Sequence, residues 1–137
     1  MGYTVLHIAA EDGDIDRLQH LLTAGQCDIN DRGMCEMTPL HSAAGNGHTQ
    51  CVQLLLQHGV DTSIQDRGGM TPLHRAAHCG HTQCVQLLFQ HGADTSIQDR
   101  GGMTPLHRAA HCGHTQCVQL LFQHGADTSI QDRVSVE

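Results

Sequence analysis

Residues 61–100 read DTSIQDRGGMTPLHRAAHCGHTQCVQLLFQHGADTSIQDR, and residues 94–133 repeat them letter for letter at an offset of 33. The block from Met37 to Val60 follows the same pattern with a few changes. A fixed period of this length means stacked supersecondary units rather than one globular core. Each His or Cys that recurs at this spacing is there first because the repeat needs it. Function then belongs to the surface that the stack presents. Letter-for-letter identity over 40 residues points to a very recent duplication or an engineered copy, and both readings stay open.

Composition supports a thin, continuous core. Only Tyr3, Phe89 and Phe122 are aromatic, so the core is built from Leu, Val, Ile, Ala and Cys. The formal charge is −7, with seven Arg and no Lys. Residues 1–36 carry seven acids and two Arg, so most of the negative charge lies there. Nucleic-acid binding needs a basic face that displaces counterions, and this balance argues against it. A Walker-type phosphate loop needs a Lys, so the Gly68-Gly69 and Gly101-Gly102 pairs are turn residues. No apolar run approaches the ~20 residues that span a bilayer, so no membrane association is expected. The start MGYTVLHIAAEDGD has no basic segment and is not a signal peptide.

The seven Cys do not read as a disulfide scaffold. Cys51, Cys84 and Cys117 recur with the repeat, as do Cys79 and Cys112. Equivalent residues in packed neighbours lie about 8–10 Å apart, whereas a disulfide needs Cα atoms within ~7 Å. Free thiols place the chain in a reducing, intracellular compartment, cytoplasmic or nuclear.

Within one repeat, Asp66 to Gln98, Asp66-Arg67-Gly68-Gly69 is a turn. Thr71 caps a helix and Pro72 opens it, where the missing N–H costs nothing. Gly80 stops that helix. Thr82 is expected to cap a second helix with Cys84, Val85, Leu87, Leu88 and Phe89 on its apolar side. Helices of about ten residues are marginal alone, so stacking must hold them.

These residues resemble the ankyrin-repeat family. The signature T-P-L-H-x-A-A-x-x-G-H, an amphipathic helix and then G-A-D occurs intact at Thr71–Asp94 and Thr104–Asp127. It recurs at Thr38–Asp61 with Val60 for Ala, and at Thr4 with Val5 for Pro and one extra residue in Gly25–Asp28. The resemblance implies an all-α ankyrin-repeat solenoid. Four stacked helix-turn-helix repeats of 33 residues, with β-turn fingers, would occupy about 1–32, 33–65, 66–98 and 99–131 of a single domain 1–137, with a tail at 132–137. It also implies protein recognition by the finger tips and inner helices. His41, His74 and His107 would bond the Thr hydroxyl and nearby turn backbone.

The two ends differ. Arg17 and His20 stand where Cys51 and Leu54 later stand, as a terminal cap requires. Val118, Leu121 and Phe122 are unchanged from the internal copy and are expected to leave an apolar patch that invites weak self-association. Either the chain was cut from a longer array or it tolerates such an end.

His78-Cys79-x-His81 and His111-Cys112-x-His114 look like metal ligands, but their copies sit a repeat apart and four ligands must converge on one ion. No metal, cofactor or catalytic residue is expected, and the chain is read as non-enzymatic. The concave face implied by the resemblance comprises Arg67, Met70, His78, Cys79 and Gln98, then Arg100, Met103, His111, Cys112 and Gln131. The second repeat adds Met34, Met37, Asn46 and Gln65, and the first adds Tyr3, Glu11 and Asp12. This set predicts a protein or peptide partner with an acidic segment facing the later repeats. Any basic part of that partner would lie toward the first. Two competing readings are a truncated or engineered scaffold with no ligand, and a metal- or redox-responsive His/Cys ladder.

Overall fold

A computed structural model describes residues 4–124. Four helix pairs follow one another: α1 Val5–Asp12 and α2 Ile15–Ala24, α3 Pro39–Gly45 and α4 Thr49–Gln57, α5 Pro72–Cys79 and α6 Thr82–Gln90, α7 Pro105–His111 and α8 Thr115–Gln123. The first helices of the pairs pack on each other in succession to form an inner layer, and the second helices form an outer layer. A short 3-10 turn, Met34–Glu36, lies between the first two pairs, and no strand occurs among the described residues. The fold is an all-helical solenoid.

Each inner helix starts the same way. Thr4, Thr38, Thr71 and Thr104 take extended N-cap geometry, and each hydroxyl accepts the N–H of the His three residues on. The imidazole bonds back to the Thr N–H, a reciprocal box with His where Glu or Gln is usual. Gly80 ends α5 with φ 77°, and a Cβ there would stand 2.7 Å from Nδ1 of His114 in the next repeat. Glycine is required by the backbone and by the close approach.

The second helices are not capped as the sequence suggests. His81 takes the N-cap with no side-chain cap bond, and Thr82 is the first helical residue. The cap position instead reaches backward across the repeat boundary. Nε2 of His48 donates to the Glu11 carbonyl at 2.8 Å, and Nε2 of His114 donates to the His78 carbonyl at 2.9 Å.

Leu6, Leu40, Leu73 and the pairs Ala9-Ala10, Ala43-Ala44 and Ala76-Ala77 are buried, so small side chains let the inner helices close on each other. Leu55, Leu88 and Leu121 are all fully buried, so Leu121 is not part of an end patch. This position packs inside its own repeat. The positions that face the following repeat behave differently. Val85 is fully buried and Val118 only partly, Ala77 is buried and Ala110 exposed, and Phe122 is 63% exposed. At the other end Arg17 and His20 are exposed, in keeping with a polar cap, but Val5 and Ile8 on α1 are exposed as well.

Candidate functional site

The loops before α5 and α7 form tight fingers. The Asp66 N–H donates to the Met70 carbonyl at 2.9 Å and closes the second finger. Oδ1 of Asp66 accepts the Gly68 and Met70 N–H groups, and Oδ2 accepts Nε and Nη2 of Arg75 at 2.9 and 2.7 Å. The third finger repeats this, with Asp99 accepting Gly101, Met103 and Arg108 Nε. Both carboxylates are fully buried. Burial pushes the Asp99 carboxyl up, but the Arg108 bond and the Met103 N–H outweigh it and hold the group below its ordinary range.

Adjacent fingers are stitched to each other. The Arg67 N–H donates to the Cys35 carbonyl and the Arg100 N–H to the Gly68 carbonyl, at 2.9 and 3.0 Å. Nε2 of Gln65 donates to the Gln98 carbonyl at 3.1 Å. The signature histidines tie finger to helix across the same boundary. Nε2 of His7, His41 and His74 donates to the carbonyl of Met37, Met70 and Met103, each at 2.8 Å. In His41 and His74 Nδ1 must accept, because the Thr N–H can only donate, so these two rings are held neutral. Burial drives the His41 pKa down to about 4, and it lowers that of His74 as well.

The family profile of ankyrin repeats, in three copies, matches residues 6–99 and 64–132. The chain belongs to the ankyrin-repeat family. It is 43% identical over 61 residues to the human Ankyrin repeat domain-containing protein SOWAHB, covering 41% of this chain and 8% of that protein. It is 40% identical over 68 residues to the E3 ubiquitin-protein ligase KEG of Arabidopsis thaliana, covering 50% of this chain and 4% of that protein. The chain therefore matches under a tenth of the length of either relative. Ankyrin repeats are generally protein–protein interaction modules and are typically non-enzymatic. No helix among the described residues is long and apolar enough to cross a membrane.

The finger tips of this ankyrin stack present Arg67, Gln65, Gln98 and Arg100 as exposed residues. Met34 is 59% exposed and Met37 half-buried. Met70 and Met103 are a correction. Their side chains are only 8% and 4% exposed, so they do not line a contact surface, and their carbonyls receive the signature histidines. At the ends of the inner helices Glu11, Asp12, Asn46, Cys79 and His111 are exposed, while His78 and Cys112 are half-buried. Tyr3 and Gln131 lie outside the described residues.

The stack brings His78 and Cys112 together, with Sγ to Nδ1 at 3.3 Å. Burial lowers the His78 pKa, and the nearby Arg108 and Arg75 guanidinium groups lower it further. Burial raises the Cys79 thiol pKa. Among the described residues no group of three or more His, Cys, Asp or Glu converges as a metal site would require, and the seven cysteines are free thiols. His58, His91 and His124 take the C-cap positions just past the outer helices. His124 stacks on Phe89 of the preceding repeat with ring centroids 4.4 Å apart.

Sequence reasoning missed the Asp66–Arg75 and Asp99–Arg108 pairs. The signal was present. Asp and Arg recur together nine residues apart in the third and fourth repeats, and Gly33 and Ser42 replace both at once in the second.

Proposed function

We propose that this chain is an interaction module whose inner side, made of finger tips and inner-helix ends, binds an extended acidic segment of a partner protein. One observation carries the reading. Arg67 and Arg100 stand exposed on adjacent fingers joined by the Arg100 N–H to Gly68 bond, and their backbones are fixed by that ladder. Planar guanidinium groups carried on fixed backbone at a one-repeat spacing suit bidentate pairing with carboxylates. Arg75 and Arg108 are already occupied by buried carboxylates and contribute shape rather than available charge. His78 and His111 lie beyond them. Because burial and the nearby Arg108 and Arg75 lower the His78 pKa, acid strengthens binding through it only below pH 6.5.

The double change Arg67→Glu plus Arg100→Glu tests the reading. Affinity for a partner captured through an acidic segment should fall at least tenfold, and the salt dependence should shrink. Unchanged affinity would remove the finger tips from the interface.

A second, weaker contact is proposed at the C-terminal face of the described stack, where Phe122 is 63% exposed and Ala110 is exposed as well. Phe122→Gln should lower any dimer seen by sedimentation at high concentration, and Arg17→Gln should not. Equal dimer in both variants removes this face from self-association.

A further inference from the structure

The second repeat breaks the pattern of the later ones along one line of the inner face. Ser42 stands at the position of Arg75 and Arg108, Gly33 at that of Asp66 and Asp99, Gly45 at that of His78 and His111, and Asn46 at that of Cys79 and Cys112. Three of the four changes make the side chain smaller, two of them at Arg and His positions, and the fourth puts a polar amide where a thiol stands. The result is a notch in the inner face lined by Glu11, Ser42, Gly45, Asn46, Arg75 and Cys79. Met37 of the first finger closes one side.

The notch has an unfilled polar group. Ser42 is 2% exposed, and its Oγ is the buried side-chain oxygen without a hydrogen-bond partner among the described residues. A buried hydroxyl in that state costs about 1–3 kcal/mol. Its equivalents, Arg75 and Arg108, are paired with the buried carboxylates of Asp66 and Asp99. The second repeat has therefore given up a satisfied pair and kept a cavity with an unsatisfied acceptor.

The charge around the notch selects the ligand. Asn46 donates its Nδ2–H to the Ser42 carbonyl at 2.8 Å, which leaves its amide oxygen as an acceptor. Glu11 brings a carboxylate at the rim. Arg75 is neutralised locally by Asp66 at 2.7 Å. The notch also lies at the C-terminal ends of α1 and α3, the negative poles of the helix dipoles. Glu11 and Asp12 repel that pole, whereas α5 and α7 place His78, Arg108 and His111 in the same last turn. Like charge retained against a dipole is relieved by a cation from outside.

We infer that this notch is a specificity pocket for a single basic side chain, Lys or Arg, of the partner segment. Its ammonium or guanidinium would be held by the Glu11 carboxylate and the Asn46 amide oxygen, above the buried Ser42 Oγ. The inference rests on the proposed inner-face reading and refines it. The partner segment carries one basic residue toward the first repeat and acidic residues toward the later fingers.

The test uses the whole chain and defined small probes. N-acetyl-arginine amide is titrated into the labelled protein and followed by NMR, with N-acetyl-citrulline amide as the uncharged match. The arginine probe should shift Glu11, Ser42 to Asn46 and Cys79 together, and the citrulline probe should bind at least threefold more weakly. Glu11→Gln should weaken the arginine probe about threefold, as expected for loss of one exposed charge pair. Ser42→Arg, alone and with Gly33→Asp, should abolish the clustered shifts. The double variant rebuilds the pair already present twice in this chain, so a folded protein is expected from it. Scattered shifts, or equal binding of both probes, would overturn the notch. The Arg67→Glu plus Arg100→Glu variant should leave the probe titration unchanged. Failure of the finger-tip reading and failure of the notch are thereby seen separately.

Discussion

The finger before α3 and the fingers before α5 and α7 occupy the same place in three successive repeats, yet they are held in different ways. In the later two a buried aspartate gathers two backbone N–H groups and an arginine from the inner helix. In the first, Gly33 supplies no side chain, and the loop winds instead into the Met34–Glu36 3-10 turn. Cys35 and Glu36 then adopt φ of 58° and 59°, a left-handed conformation that costs a non-glycine residue about 1–2 kcal/mol each. At the position of Glu36 the second finger has Gly69, with φ 79°. The backbone ladder between fingers survives in both cases, since Arg67 bonds Cys35 as Arg100 bonds Gly68. A finger can thus keep its place through the ladder and the histidine tie while its internal anchor is lost. Where the first finger lacks its Asp–Arg anchor, the second repeat has a polar notch.

The largest expected effect comes from acid. His41 ties the anchored second finger by donating Nε2–H to the Met70 carbonyl, and its Nδ1 can accept the Thr38 N–H only when the ring is neutral. Its folded pKa of about 4 lies below the ordinary 6.5, so the unfolded chain takes up a proton that the folded chain refuses. Stability is therefore full above pH 6.5 and falls as pH drops toward 4, by about 3 kcal/mol from this residue alone. His74 acts in the same direction on the third finger. Urea unfolding between pH 7 and pH 4.5 measures the slope, and His41→Gln should flatten it. A slope unaffected by that change would show that His41 is not the group whose protonation destabilises the fold.

Next comes the anchor itself. Asp66→Ala strands Arg75 and leaves the Gly68 and Met70 N–H groups without their acceptor. Arg75 is 31% exposed and partly rehydrates, so the expected loss is about 2–4 kcal/mol in denaturant melts. A loss under about 1 kcal/mol would make anchored and unanchored fingers energetically alike.

The smallest effect is a contrast of sign at one structural position. Gly69→Ala forces a Cβ to 2.8 Å from the Arg100 nitrogen at positive φ, and should destabilise by about 1–3 kcal/mol. Glu36→Gly relieves the strained backbone, loses an exposed pair with Arg32 and adds unfolded-state freedom. Its expected net gain is about 0.5 kcal/mol. Thermal melts of both variants settle the signs, and loss in both would mean that the first finger is not strained.

Much of this was legible in the residues. The 33-residue period, the Thr-Pro starts and the glycine stops define helices and their order, because capping and φ preference act over a few neighbouring residues. The distinction between Leu121 and Phe122 was not legible. Both are apolar residues of one helix, and only the packing direction makes one fully buried and the other 63% exposed. The same holds for Met70 and Met103. Finger position suggests contact, but both side chains are buried.

By itself, the sequence determined the repeat, the helix boundaries within a residue or two, and the concentration of acid in the first 36 residues. The tertiary structure decided which histidines bond forward and which backward, which arginines are consumed by buried aspartates, and where a missing pair opens a notch. These outcomes depend on contacts between residues 29 to 37 positions apart, as well as on the Asp66–Arg75 reach over nine. Local propensity does not act across such separations. They form only when one repeat closes on the next.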